Sequence, residues 1–194
     1  MFARLPDPHA VYMLVMALGA TVHHFSIALS DVDRSVYETL DLRVAQHPSE
    51  TMMRLLVRTL AYCLAHADGI AFSKGGLSSN EDPPIAVIDP TGRRLRWIEI
   101  GAPSPERLHK LSKSGPGEIY THELAQLRRQ IDGKTIHKAE TIAVCAFDPA
   151  FLAELEAHVE RRAELEVTRT DGSLYVTVDG TSFETVPAIS TLGD

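Results

Sequence analysis

Between residues 93 and 147 the chain switches repeatedly from one hydrophobic period to another. "RRLRWIEIG" (93–101) alternates like a strand, and "PERLHKLSK" carries a helical stripe behind paired prolines. "EIYTH" is again strand-like, "ELAQLRRQID" helical, and "ETIAVCAF" an apolar strand. Strands separated by helix-length connections are satisfied by a partly parallel sheet covered with helices, because parallel neighbours need a crossover. In the first of these strands Leu95, Trp97 and Glu99 share one face, while Ile98 and Ile100 share the other. Both faces read as at least partly buried. A carboxylate placed there needs a partner that compensates its charge.

The flanking segments fit around that sheet. "ATVHHFSIALSDVDR" and "YETLDLRVAQH" alternate well, which predicts an antiparallel pair joined through "SDVDRS". "HPSETMMRLLVRTLAYCLAHADG" predicts a helix starting at Pro48 and Ser49, with Glu50 facing the positive end of its dipole. Met52, Leu55, Leu56, Leu60, Cys63 and Leu64 form its apolar stripe, and Gly69 is its expected stop. "IAFSKG" and "IAVID" read as short strands around the polar loop "GLSSNEDPP", and "PAFLAELEAHVERR" as a helix. The Asp171-Gly172 and Asp179-Gly180 pairs predict two tight hairpin turns, hence a C-terminal β-meander. The expected fold class is α/β, or mixed α+β. It has a central mixed β-sheet flanked by helices, an N-terminal antiparallel strand pair and the C-terminal meander.

A chain of 194 residues suits one medium domain. We expect residues 1–15 to be a loose extension or a mis-called start, with the functional chain beginning at Met16. Residues 16–187 form one domain, and residues 188–194 are a tail. The run from Ala10 to Ala20 is too short to span a bilayer and has poor signal-peptide flanks, so a soluble cytoplasmic protein is expected. The formal net charge of −7 argues against a general nucleic-acid coat protein, though a local basic strip such as Arg128, Arg129, Lys134 and Lys138 stays compatible with it. Cys63 and Cys145, in apolar segments without metal-type spacing, read as buried thiols in a reducing compartment. His23 and His24 are adjacent on a strand, face opposite sides and cannot share one ion.

Glu99 lies near a strand end, where α/β proteins gather their chemistry, and Asp82 precedes the neighbouring strand-like "IAVID". Two acids brought together at strand ends can hold a hard divalent ion through oxygen. Each has a simpler reading. Glu99 can pair with Arg96 or Arg107, and Asp82 can serve the turn before Pro83. Glu50 can act only on the helix dipole, and Lys110 can be a solvated lysine.

The segments "MALGATVHHFSIALSDVDR", "AQHPSET", "GLSSNEDPP", "LRWIEIGAP" and "ERLHK" together closely resemble the YaeQ family of bacterial proteins. The resemblance runs from about Met16 to near the C-terminus and is loose after about residue 123. It implies a core similar to the PD-(D/E)XK nucleases, whose motif supplies two metal-binding acids and a lysine. On this chain it assigns the acids to Asp82 and Glu99 as ligands of Mg²⁺, with Mn²⁺ as substitute, and points to Glu50 as a supporting acid. Gly101 stands where such a nuclease usually carries lysine. Lys110 is the candidate replacement, with Arg107 one turn away. The implied activity is Mg²⁺-dependent phosphodiester hydrolysis on nucleic acid. The alternative is a non-catalytic module that keeps the scaffold and binds nucleic acid or a protein partner.

Overall fold

The computed structural model describes residues 19–73 and 82–194. The N-terminal extension expected over residues 1–15 and most of the polar loop at 74–81 lie outside the described residues. Among the described residues there are eleven strands, four α-helices and two short 3-10 turns, and the strands form two mixed sheets.

The first sheet has the order β10-β9-β8-β1-β2. It is built from β1 (Thr21–Asp31), β2 (Val36–Gln46), β8 (Arg162–Thr170), β9 (Ser173–Val178) and β10 (Thr181–Thr185). The expected pairing of β1 with β2 is antiparallel along their whole length, from Thr21 opposite Gln46 to Asp31 opposite Val36. Alternation buries Phe25, Ile27 and Leu29 of β1 beside Leu40, Leu42 and Val44 of β2. His23 is buried and His24 faces the other side. The meander forms as expected, and Asp171 and Asp179 take positive φ (49° and 47°) at its two turns. Its first strand, β8, runs parallel to β1, so chain start and chain end complete one sheet.

The second sheet has the order β11-β7-β6-β5-β4-β3. It contains β3 (Ile70–Phe72), β4 (Ile85–Ile88), β5 (Arg94–Ile100), β6 (Gly117–Thr121), β7 (Ile142–Ala146) and β11 (Ala188–Thr191). The predicted strand–helix–strand–helix–strand run is its centre: β5, β6 and β7 are parallel. Their crossovers are α2 (Pro105–Lys113) and α3 (Leu124–Ile131). Ser104 caps α2, with Pro105 in its first turn, so the end of β5 is followed at once by an enforced helix start.

Helices α1 (Met52–Leu64) and α4 (Pro149–Glu156) share one apolar core with both sheets. It contains Leu55, Leu56 and Leu60 of α1, Leu152 and Leu155 of α4, Phe25 and Ile27 of the first sheet, and Ile98 and Ile100 of the second. On the opposite face of the second sheet, Trp97, Ile119 and Val144 pack against Leu108 and Leu111 of α2 and Leu127 of α3. The two faces of β5 therefore look into two different cores, which is why both read as dry in the sequence.

The expected central mixed sheet is the second sheet, and the N-terminal pair and the meander join each other in the first, burying their apolar faces on helices α1 and α4. Three expectations change. The tail at 188–194 contributes β11, an edge strand antiparallel to β7. Arg128 holds that strand by donating to the carbonyls of Leu192 (3.0 Å) and Thr191 (3.1 Å), so it leaves the basic patch for a structural task. Helix α1 starts later than Pro48 suggests. Thr51 is its cap, accepting from the Arg54 amide at 3.2 Å, and its last turn closes at Ala65, before Gly69.

Glu50 therefore sits outside the helix and is not a first-turn residue. It is buried, and Arg58 grips both of its oxygens, Nε to Oε1 at 3.0 Å and Nη2 to Oε2 at 2.8 Å. Arg58 also donates to the Ala45 carbonyl at 2.7 Å, tying α1 to β2. Removing one partner strands the other charge in a dry interior. Arg58→Ala should cost about 3–5 kcal/mol in urea denaturation. Pairing Arg58→Met with Glu50→Gln should recover a large part of that loss. A single-variant loss below ~1 kcal/mol would show that the pair is solvated.

Candidate functional site

The carboxyl end of β5 brings the site together. On β5, Trp97 and Glu99 point to the α2 side, two residues apart on one face. The Trp97 indole N–H donates to Glu99 Oε1 at 2.5 Å. From α2, Arg107 Nε donates to the same oxygen at 2.6 Å. Of the two arginines open to it, Glu99 thus takes Arg107. Arg96 instead pairs with Glu118 on the next strand. Among the described residues no donor is bonded to Glu99 Oε2.

Arg107 also reaches the segment before β4, donating through Nη2 to the main-chain carbonyl of Asp82 at 2.6 Å. One guanidinium therefore ties the Glu99 carboxylate to the backbone at Asp82. The Asp82 side chain is exposed and accepts from Arg94 at 3.1 Å. The guanidinium carbons of Arg94 and Arg107 lie 4.6 and 5.2 Å from the centroid of the Trp97 ring, so the indole orders both cations. Lys110, one turn beyond Arg107, lies on an exposed position of α2. Glu50 is engaged by Arg58 as described, so its oxygens are committed to an ion pair.

Three contributors escape the sequence. Trp97 shares a strand face with Glu99, but nothing in the pattern shows its N–H as the donor to that carboxylate. Arg54, in the first turn of α1, donates to the Ile100 carbonyl at 2.7 Å. Glu123, just past β6, brings its Oε2 to within 3.1 Å of where a Cβ on Gly101 would stand. Arg54 carried one signal: a cation in the first helical turn opposes the dipole and so needs a tertiary reason.

Glu99 is 3% exposed. Burial pushes its carboxyl above the ordinary range. The Arg107 guanidinium, the Trp97 and Arg107 hydrogen bonds and the Arg54 charge pull it down without cancelling that rise. Among the described residues no group of three or more His, Cys, Asp or Glu gathers as a metal cluster, and no helix is long and apolar enough to cross a membrane. Both cysteines are free, and burial pushes each thiol up to about 12.

The raised Glu99 carboxyl has a thermodynamic consequence. The folded chain holds the Glu99 proton more tightly than the unfolded chain. Its contribution to stability is complete below the ordinary glutamate value, about 4.3, and is lost as pH rises through the higher folded value. Glu99→Gln keeps an acceptor for Trp97 and Arg107 but cannot ionise. Its stability relative to the native sequence should improve as pH rises from about 4 through the raised folded value and then level off, in urea denaturation. A difference that is flat or falls across that range would contradict burial as the dominant influence.

Comparison with known proteins agrees with this architecture. The YaeQ protein family matches residues 16–187. The YaeQ protein of Escherichia coli (strain K12) is 28% identical over 172 residues, covering 87% of this chain and 94% of that protein. The YaeQ protein of Salmonella typhi is 30% identical over 166 residues, covering 83% and 90%. The crystal structure of YaeQ from Xanthomonas axonopodis pv. citri superposes with a TM-score of 0.77 at 28% identity, over 88% of this chain and 97% of that one. That of YaeQ from Pseudomonas syringae gives 0.74 at 27% identity, over 89% and 96%. With the family matched over nearly the whole chain and the fold shared with two of its crystal structures, this chain belongs to the YaeQ family.

Proposed function

We propose that this chain is a PD-(D/E)XK nuclease-like protein that hydrolyses phosphodiester bonds of nucleic acid with Mg²⁺ at the end of β5. One observation carries the reading. A nearly fully buried glutamate sits at the carboxyl end of a parallel strand, joined through Arg107 to Asp82, with Oε2 bonded to no donor among the described residues. Trp97 and Arg107 answer the Oε1 side of that carboxylate, and the Oε2 side is the one that a ligand would meet. The donor set is hard oxygen, which suits Mg²⁺ or Mn²⁺.

Glu99, through Oε2, and the Asp82 carboxylate would hold the ion. The ion would supply a more acidic bound water and offset charge growing on the phosphate. In the reaction a water oxygen bonds to phosphorus, the bond from phosphorus to the ester oxygen breaks, and a water proton ends on the departing hydroxyl. The protein's own groups do the orienting. Trp97 and Arg107 fix the Glu99 rotamer from the Oε1 side, and Lys110 offers an amine from the exposed side of α2. Glu50 supports the centre indirectly, by holding Arg58 and with it the helix that carries Arg54.

A second reading is favoured by a different observation. Arg107 is bonded to the Glu99 carboxylate and Arg94 to the Asp82 carboxylate, while Arg54 takes the Ile100 carbonyl, so cations of the chain already answer both acids. Such a centre suits a binding module that keeps the scaffold and does not cut.

Calorimetric titration with Mn²⁺ and Mg²⁺, beside cleavage assays on DNA and RNA oligonucleotides, separates the two. Hydrolysis predicts saturable Mn²⁺ binding that weakens at least about tenfold in both Glu99→Gln and Asp82→Asn, with cleavage lost in each. Lys110→Ala should lower turnover while leaving Mn²⁺ affinity intact. Metal affinity unchanged in both acid variants would end the metal-centre reading. Salt-sensitive retention of oligonucleotide without cleavage would establish the binding module instead.

A further inference from the structure

Gly101 occupies the position where the motif would carry lysine, and its surroundings explain the residue. Its φ is +83°, a conformation that side-chain-bearing residues rarely adopt. A Cβ built there would fall inside the van der Waals envelope of Arg54 Nη1, with Glu123 Oε2 3.1 Å away on the other flank. The space that a side chain at 101 would enter is therefore filled by a guanidinium arriving from helix α1.

Arg54 is half-buried, and its side chain donates from Nη1 to the Ile100 carbonyl at 2.7 Å. That bond anchors it at the end of β5, and among the described residues Nε and Nη2 are bonded to no acceptor. The helix itself does not favour a cation in this place, since the first turn of α1 is its positive end and contains no acidic residue. Arg54 also lies close enough to Glu99 for its charge to be felt there. An anchored guanidinium with open donors, beside a buried acid, matches the geometry that recognises a phosphate oxygen.

We propose that Arg54 is the phosphate-binding cation of this centre, entering from helix α1 the place that a lysine side chain at position 101 would fill, and that Gly101 is the positioning residue that admits it. The ligand class is a phosphodiester of a nucleic-acid strand. This inference rests on the hydrolytic reading above, and it assigns the lysine's task to Arg54 ahead of Lys110.

The test compares the native chain with Arg54→Ala, Arg54→Lys, Gly101→Ala and the double variant Arg54→Ala/Gly101→Ala. Each is measured for Mn²⁺ affinity, for binding of a fluorescent DNA oligonucleotide with Ca²⁺ in place of Mg²⁺, and for cleavage with Mg²⁺. Arg54→Ala should leave Mn²⁺ affinity within about twofold, weaken oligonucleotide binding at least about tenfold, and lower turnover about 10²-fold. Arg54→Lys should recover part of both losses, which rules out mere unfolding as the cause. Gly101→Ala should mimic Arg54→Ala, and the double variant should be no worse than Arg54→Ala alone, because the glycine acts only through the arginine.

Unchanged oligonucleotide binding and turnover in Arg54→Ala, with a native chain that binds Mn²⁺ and cuts, would overturn this inference alone. So would a loss of Mn²⁺ affinity that parallels the loss of oligonucleotide, or a full additional loss from Gly101→Ala in the Arg54→Ala background. A native chain that binds neither Mn²⁺ nor oligonucleotide would remove the hydrolytic reading and this inference together.

Discussion

The contact between Glu99 and Arg107 is the constraint around which the second sheet is arranged. A carboxylate at 3% exposure is tolerable only when its charge is answered at close range. Arg107 answers from α2 at 2.6 Å, which fixes where α2 lies over the end of β5. The helix start is set by Ser104 and Pro105, so only a few residues separate the strand that carries the acid from the helix that carries its partner. The indole N–H of Trp97 completes the Oε1 side, and the same ring holds the guanidiniums of Arg94 and Arg107. Strand, crossover helix and the segment at Asp82 are joined in one network.

Two other arginines extend that logic to α1. Arg58 is buried with Glu50 and docks the helix on β2. Arg54, one turn earlier, reaches the far sheet at Ile100. The helix thus connects both sheets through charged groups, while its leucines supply the apolar contact between them. Apolar packing tolerates small slides of one element over another, whereas a buried bidentate ion pair has one good geometry. The placement of Arg54 beside Gly101 follows from that restraint on its helix.

Much of this was legible from the chain itself. The alternation of β1 and β2, the parallel β5–β7 run and the two Asp-Gly turns follow from period and turn chemistry, which are local properties. The separation into two sheets was not legible, because the pairing of β8 with β1 joins segments more than a hundred residues apart and no local pattern encodes it. Strand β11 was hidden for a related reason. Its burial pattern is weak, with Ile189 64% exposed, and it is held by Arg128 from a distant helix. At the site, the residue types of Asp82 and Glu99 suggested chemistry and Arg107 was named as a partner. Arg54 and Glu123 needed coordinates, since their proximity to Gly101 is entirely tertiary. Glu50 was misplaced by one turn boundary: Pro48 suggested a helix start, but the Thr51 side chain made the better cap.

Anomalous diffraction from crystals grown with Mn²⁺ tests most directly whether the buried acid of β5 exists to bind a cation. A single strong peak within coordination distance of Glu99 Oε2 and the Asp82 carboxylate, absent from Glu99→Gln crystals grown alongside, is the result that this account predicts. Native crystals without a peak there at saturating Mn²⁺, with Arg107 still bridging Glu99 and Asp82, would contradict it.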